Sequence, residues 1–381
     1  MLSGVAAAQH DRGGVTGGGA IGGSTERSST RPVTKPKPAT TRTPKRRTTP
    51  ATTGRATTTT TTTASADAYY QQGETLYNAK KYREALDPYI KATEINPSMA
   101  AAFYRVGWIY NDLEDYNSAV DSMKRAIALQ PNDPAAHFEL GYAYRRLQRY
   151  DNAAIAFRET VRLKPNYHTA HYELGWIYNH QNNYAEAIKS LKQALSYRSD
   201  YVEAHSELGY SLQNLGRSAE AIKEYQEALR LKPDFALAYL GLGDVYYYNT
   251  KQCAEAANAY RRGLQLQPNN VVAHYNLAWC YNDQERYNDA IAELRKAVDL
   301  QPNHPEAYNE LGYAFHHLGR FGEAIKNYQI AIQQKLDYGL AHYNLGLSFM
   351  SVQNRNGAMQ QYRILQRIDR ARAAQLFNQL R

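Results

Sequence analysis

The sequence predicts an all-α array of nine helix-turn-helix repeats closed by a short helix. Three observations predict it: a 34-residue period, rows of small residues held in register by that period, and bulky apolar residues at helical spacing between them. The period is marked by Pro97, Pro131 and Pro165, by Ser199 in the same register, by Pro233, and after one inserted residue by Pro268 and Pro302. Starting each unit 31 residues before that register position, or 32 in the unit with the inserted residue, gives repeats at 66–99, 100–133, 134–167, 168–201, 202–235, 236–270, 271–304, 305–338 and 339–370. Residues 371–381 remain as a capping helix with Leu376, Phe377 and Leu380 on its inner face, because an array end must cover its apolar surface.

The segment before the repeats has different physics. Eight glycines fall within residues 4–23, and residues 24–65 hold 17 Thr, 5 Pro and 9 Lys or Arg with Val33 as the sole branched aliphatic residue. Such a composition cannot bury enough surface to offset the entropy of ordering, so residues 1–65 are expected to be a disordered linker. The net charge of +9 is concentrated there: residues 1–65 carry ten basic and two acidic residues, against 35 basic and 34 acidic in the rest. Polyanion or nucleic-acid binding is therefore expected only through this tail, with Lys45, Arg46 and Arg47 as the anion contacts, and a glycosylated stalk is the other alternative to a linker. Ala6, Ala7 and Ala8 before Gln9 look like the end of a secretory signal without the apolar core that should precede it. Localisation is left open between the cytoplasm and export, the latter if the start is truncated.

Within each repeat, position 8 is glycine in eight units (Gly73, Gly107, Gly141, Gly175, Gly209, Gly243, Gly312, Gly346) and Ala278 in the other. Position 20 is alanine throughout, from Ala85 to Ala358, and position 27 is small in eight units. Glycine inside a helix costs up to about 1 kcal/mol against alanine, so two helices are expected to touch at these positions, with position 8 against position 20. Bulky residues recur between them at position 7 (Val106, Leu140), position 11 (Tyr110, Tyr144) and position 24 (Phe157, Tyr225, Tyr260). The extra residue near Tyr246–Thr250 is expected to lengthen a loop of the sixth unit.

His171-x2-Leu174-Gly175-x2-Tyr178, followed by Ala187, Leu191 and Ala194, resembles the tetratricopeptide repeat, and nine such units cover about four-fifths of the chain. The resemblance implies a right-handed superhelical solenoid whose first helices line a concave groove. Ser199 and Leu336 depart from the pattern at the turn proline. Family members that clamp chaperone C-termini use groove lysines, which this face lacks, so that activity is not carried over. The repeats are also similar to those of O-linked N-acetylglucosamine transferases, whose asparagine ladder at position 6 is matched here by Asn276 and Asn344.

Catalytic chemistry is hard to place. There is no nucleophile elbow, phosphate loop or His-Glu-x-x-His pair, and Gly241-x-Gly243 sits in a helix register that packing already explains, so no enzyme activity and no cofactor are expected. His137, His171, His205, His274 and His342 share position 4, where the family places a large aromatic, and read as structural; no metal is expected. Cys253 and Cys280 read as free thiols, and no apolar run is long enough to span a membrane.

The remaining face of the first helices carries positions 2, 5, 6, 9, 12 and 13. Position 5 contributes Tyr70, Tyr104, Phe138, Tyr172 and Tyr275; position 9 contributes Trp108, Tyr142, Trp176, Tyr210, Trp279 and Tyr313, including all three tryptophans. Position 12 adds Asn111, Arg145, Asn179, Gln213 and Asn282, beside carboxylates Glu139, Glu173, Glu207 and Glu310 at position 6. Amides and carboxylates in such rows suit an extended backbone while exposed aromatics take up side chains, so this set is the expected partner-binding groove of a non-enzymatic scaffold for a protein or peptide. A cell-envelope glycan-binding protein is the alternative, since rings flanked by Glu and Asn also suit sugars.

Overall fold

The computed structural model describes residues 65–381; the segment 1–64, with the linker, anion contacts and signal-like alanines expected there, lies outside the described residues. Among the described residues are nineteen α-helices and no strand, in two compact units, 65–159 and 160–381. In the first unit α1 (Ala66–Asn78) packs on α2 (Tyr82–Ile95) and α3 (Ala100–Asp112) on α4 (Tyr116–Leu129), followed by α5 (Pro134–Arg146) and the start of α6 (Tyr150–Leu163). The second unit continues with α7 (His168–His180) on α8 (Tyr184–Tyr197), α9 (Val202–Asn214) on α10 (Ser218–Leu231), and α11 (Ala236–Asp244) on α12 (Cys253–Leu266). It ends with α13 (Val271–Asp283) on α14 (Tyr287–Leu300), α15 (Pro305–His317) on α16 (Phe321–Gln334), α17 (Gly339–Ser351) on α18 (Arg355–Ile368), and α19 (Arg370–Leu380).

The glycine row faces position 24 rather than position 20. A Cβ at Gly73 would lie 2.6 Å from the Tyr89 ring, at Gly141 2.8 Å from Phe157, at Gly175 2.4 Å from Leu191 and at Gly312 2.6 Å from Tyr328. The expected contact of Gly175 with Ala187 is thus corrected: a helical side chain leans over the turn before its own Cα, so the bulky residue at 24 reaches the glycine. Tyr89, Phe157, Leu191 and Tyr328 are buried by this contact, each worth on the order of 1.5–3 kcal/mol, which outweighs the glycine's helix penalty. The alanines at position 20 are all fully buried.

The histidines at position 4 close the turn that precedes their helix. Nε2 of His137, His171 and His274 lies 2.8 Å from the carbonyl oxygens of Pro131, Pro165 and Pro268, six residues earlier. His205 and His342 do the same to Ser199 and Leu336, at 3.0 and 3.1 Å, so the clamp does not require proline. Nδ1 of His205 lies 2.6 Å from Glu224 and that of His274 2.6 Å from Glu293, tying the first helix to the second. Burial works against the His205 imidazolium, but the Glu224 bond and the Ser199 carbonyl prevail and raise its pKa.

The extra residue of the sixth repeat does not lengthen a loop. It is absorbed as a π-turn, Val245–Asn249, continuing α11, with Thr250 N–H donating to Val245 O five residues back at 3.1 Å. The capping helix α19 buries Leu376 and Leu380 and half-buries Phe377, with Leu376 against Gly346. Between the helices of every repeat, position 15 takes a left-handed backbone, at Gly216 and Gly319 but also at Lys80, Glu114, Gln148, Asn182, Lys251, Glu285 and Gln353.

Two predictions follow from the packing and the turn. Gly175→Leu should destabilise the chain to denaturant by about 1–3 kcal/mol, and Leu191→Ala added to it should recover part of that loss; strict additivity of the two losses would show that the residues do not share one space. Gln148→Gly removes a Cβ from the left-handed region (φ 58°) and should stabilise by about 0.5–1 kcal/mol in the same assay. A loss of stability there would mean that the Gln148 side chain holds the turn.

Candidate functional site

None of the sixteen residues expected to form the groove is fully exposed: Asn111, Trp176, Asn179 and Asn282 are buried and the other twelve are half-buried. The polar rows are used between repeats. Asn179 Nδ2 donates to Glu207 Oε2 at 2.7 Å and to the Glu207 carbonyl at 3.1 Å, while its Oδ1 accepts from Ser211 Oγ at 2.6 Å. Asn111 repeats the contact with Glu139, at 2.9 Å to Oε2 and 3.1 Å to the carbonyl, and Asn282 bonds Glu310 Oε2 at 3.2 Å. Position 12 of one repeat therefore meets position 6 of the next, 28 residues on. The expectation that these amides and carboxylates hold an extended backbone is corrected for the three pairs, because their hydrogen-bonding groups face each other.

The ladder varies with its residues. Position 10 of the following repeat is Ser211 beside Asn179 but Ala143 and Ala314 beside Asn111 and Asn282, whose Oδ1 atoms have no protein partner. His316 takes the amide's place in the eighth repeat, its Nδ1 2.7 Å from Ser348 Oγ, and burial beside His317 pulls its pKa down to about 4. Glu310 also accepts from Asn309 Nδ2 at 3.2 Å, and Asn309 Oδ1 accepts from Asn344 at 3.1 Å, extending the network to the ninth repeat. At the π-turn the chemistry is exchanged: Tyr248 Oη donates to Asn276 Oδ1 at 2.9 Å, and the half-buried Asp244 accepts from Tyr260 Oη at 2.6 Å.

The aromatic row is half spent in the same way. Position 17, the first residue of each second helix, packs on position 9 of the next repeat: Tyr82 on Trp108 at 5.2 Å, Tyr116 on Tyr142 at 6.4 Å, Tyr184 on Tyr210 at 6.1 Å and Tyr287 on Tyr313 at 6.4 Å, all edge-on. Tyr275 and Trp279 pack on each other at 5.8 Å, while Phe138 packs on Phe157 at 5.4 Å and Tyr172 on Tyr201 at 4.8 Å. Gln213 Oε1 accepts from Tyr225 Oη at 3.2 Å, and Arg145 lies over the Tyr142 ring. Tyr70 packs on Tyr89 at 5.5 Å, beside a pair the sequence reading overlooked: Arg105, at position 6, donates to Glu74 at 2.7 and 3.1 Å.

What this face leaves to solvent is position 13. His180 is exposed and stacks on Trp176 at 4.2 Å; His317 is exposed and lies 4.3 Å from Tyr313 and 5.0 Å from Tyr287; Arg146 is exposed and lies over Tyr116 at 5.0 Å. Position 13 belongs to the expected face, but none of these three is among its sixteen expected contact residues, although their i, i+4 spacing from position 9 and the recurring tyrosine at position 17 are readable signals. Among the described residues, no three His, Cys, Asp or Glu side chains come together as a metal site, neither cysteine is in a disulfide, and no helix is long and apolar enough to cross a membrane.

Three tetratricopeptide-repeat models match the sequence, one at 70–134 and 107–168, one at 177–216, 214–249, 280–319 and 312–353, and one at 259–292. The chain belongs to the tetratricopeptide repeat family, whose fold is generally a non-catalytic protein-binding scaffold. It is similar in fold to the C-terminal part of a TPR repeat-containing protein from Cytophaga hutchinsonii, with TM-score 0.51 and 17% identity over 64% of this chain and 99% of that one. The Cut9–Hcn1 hetero-tetramer of the APC/C matches with TM-score 0.50 and 17% identity, over 76% of this chain and 57% of that one. MamA matches with TM-score 0.42 and 23% identity, over 45% and 93%. No curated protein matches the chain.

The ladder makes a testable statement about pH. Burial pushes the Glu207 carboxyl from its ordinary 4.5 up to about 7, with the Glu173 charge adding to the rise and the Asn179 bond opposing it. Folding thus favours the protonated acid. Its stabilising contribution is complete below pH 4.5 and is lost as pH rises through about 7. Glu207→Gln keeps the acceptor and abolishes the titration, so the stability of the variant relative to the parent should grow by about 3 kcal/mol between pH 4.5 and pH 8. A difference that stays constant over that range would place a charged Glu207 in the fold.

Proposed function

We propose that the chain is an adaptor that holds a partner protein or an extended peptide against its first-helix face, with side chains at positions 9 and 13 as the contacts. The observation that carries this reading is the division of labour on that face. The amides and carboxylates of the ladder and the rings at positions 9 and 17 join successive repeats, while the exposed tips at His180, His317 and Arg146 remain turned to solvent. Aromatic and arginine side chains supply most of the binding energy at protein interfaces, and rings already fixed by neighbours lose little entropy on binding. Of the expected groove, Tyr142 and Tyr313 stay in the proposal as half-buried rings beside Arg146 and His317, and Tyr210 as a half-buried ring against Tyr184. Trp176 enters through the ring that stacks on His180, and Asn111, Asn179 and Asn282 act only as supports. A glycan reading loses these three amides, which the ladder already occupies.

The test is capture with the whole chain, identification of the bound protein, and affinity measurements on single variants. Arg146→Ala, His180→Ala and His317→Ala should each weaken the partner tenfold or more, about 1.4 kcal/mol, with unfolding midpoints unchanged. Asn179→Ala should instead lower stability. Parent-like affinity in all three tip variants would move the interaction to the second-helix face or to residues 1–64.

A further inference from the structure

The fifth repeat combines three residues that no other repeat combines: histidine at position 4 (His205), glutamate at position 6 (Glu207) and glutamate at position 23 (Glu224). The first two stand on α9 and bond to different neighbours. A neutral imidazole has one N–H, yet both ring nitrogens of His205 meet acceptors, Nδ1 the Glu224 carboxylate of α10 at 2.6 Å and Nε2 the Ser199 carbonyl at 3.0 Å. Only the imidazolium donates to both, so holding α9 to α10 and to the preceding turn at once takes an added proton. Glu207 is 6% exposed and joins α9 to α7 through Asn179 at 2.7 Å. With that burial and with Glu173 nearby on α7, this joint also favours the protonated form.

Both protons act with the same sign. His205, whose pKa is raised by Glu224 and the Ser199 carbonyl against its burial, stabilises the closed pair below its ordinary 6.5 and loses that contribution as pH rises through the raised value. Glu207, pushed up to about 7 by burial, loses its contribution as pH rises through that value. Glu227 of α10, although bonded to Arg230 at 2.6 Å, favours the charged ring, as Glu173 favours the neutral carboxyl. Arg198 and Asp200 pair with each other at 3.1 Å in the turn, and burial beside the charges of Asp244 on α11 and Glu207 keeps Tyr225 of α10 a neutral phenol. Other repeats hold half of this arrangement: α13 has the histidine clamp with Asn276 at position 6, and α15 has Glu310 with Tyr308 at position 4. The ninth repeat keeps the frame with amides in place of both carboxyls. His342 bonds the Leu336 carbonyl at 3.1 Å and meets Gln361 at 2.7 Å, an amide that can turn its N–H toward a neutral ring, and Asn344 joins Asn309 at 3.1 Å. Neither joint of α17 needs a proton.

We propose that α9 is a proton-operated hinge at the fifth of the nine repeats, held to α7, α10 and the preceding turn in mildly acidic solution and released from them as pH rises, while α17 stays closed throughout. The experiment measures amide hydrogen exchange by mass spectrometry on the full chain at pH 6 and pH 8, as protection relative to the intrinsic rate at each pH. A carboxyl that folding raises from 4.5 to about 7 weakens closure about tenfold between these conditions, so protection in 202–214 should fall tenfold or more and in 339–351 less than twofold. Glu207→Gln together with Glu224→Gln gives the fifth repeat the amides of the ninth, and its fall should shrink to less than twofold. Equal falls in the two segments of the parent, or a tenfold fall that persists in the folded double variant, would overturn the proposal. The comparison of α9 with α17 is made within the parent and does not depend on the variant's folding.

Discussion

The array depends on a backbone in the first helix of each repeat that has no side chain at position 8. Removing one Cβ lets a tyrosine, phenylalanine, leucine or methionine from position 24 lie directly on the helix, as Tyr89 does on Gly73 and Met123 on Gly107. Because the same contact recurs at each period, with Ala278 in place of the glycine as the one exception among the first eight repeats, the helix pairs present equivalent surfaces to their neighbours. Stacking such surfaces brings α7 against α9 and α3 against α5. An asparagine at position 12 can then reach the carboxylate of the next repeat.

That reach determines what the first-helix face consists of. A buried carboxylate with an amide partner is pulled two ways, and in Glu207 and Glu310 burial outweighs the amide bonds, so each acid is pushed up to about 7. The row that resembles a ligand-binding ladder in sequence is in this way a joint between repeats. The rings are shared between two tasks: Tyr287 fixes Tyr313 from the previous repeat, and His317 covers the outer side. A surface prepared like this is rigid before it meets a partner, which is where a repeat scaffold gains affinity.

Much of the architecture was legible in the sequence, because the proline, glycine and alanine registers report backbone geometry directly. The first helices begin at Ala66, Ala100, Pro134 and the corresponding later positions for the reason that the turn before each is the most constrained part of the repeat. The partner of Gly175 was misassigned because register alone does not say which way a side chain leans; the π-turn was missed because an inserted residue can be stored in a helix as well as in a loop. The candidate site was less legible. Trp176 does not belong to the core set by register, yet it is buried, with His180 stacked on its ring. Asn111 with Glu139, Asn179 with Glu207 and Asn282 with Glu310 share a 28-residue offset, a signal visible only when two positions are read across the repeat boundary together.

The central claim is that the polar row belongs to the fold and that only the exposed tips belong to the partner. It is tested most directly by a double-mutant cycle in denaturant unfolding on Asn179→Ala and Glu207→Ala, with affinity for the captured partner measured on every corner. The account predicts a coupling of about 1–3 kcal/mol in stability and no coupling in partner affinity under conditions where all four proteins are folded. Coupling in affinity with none in stability would contradict it and return the row to the binding site.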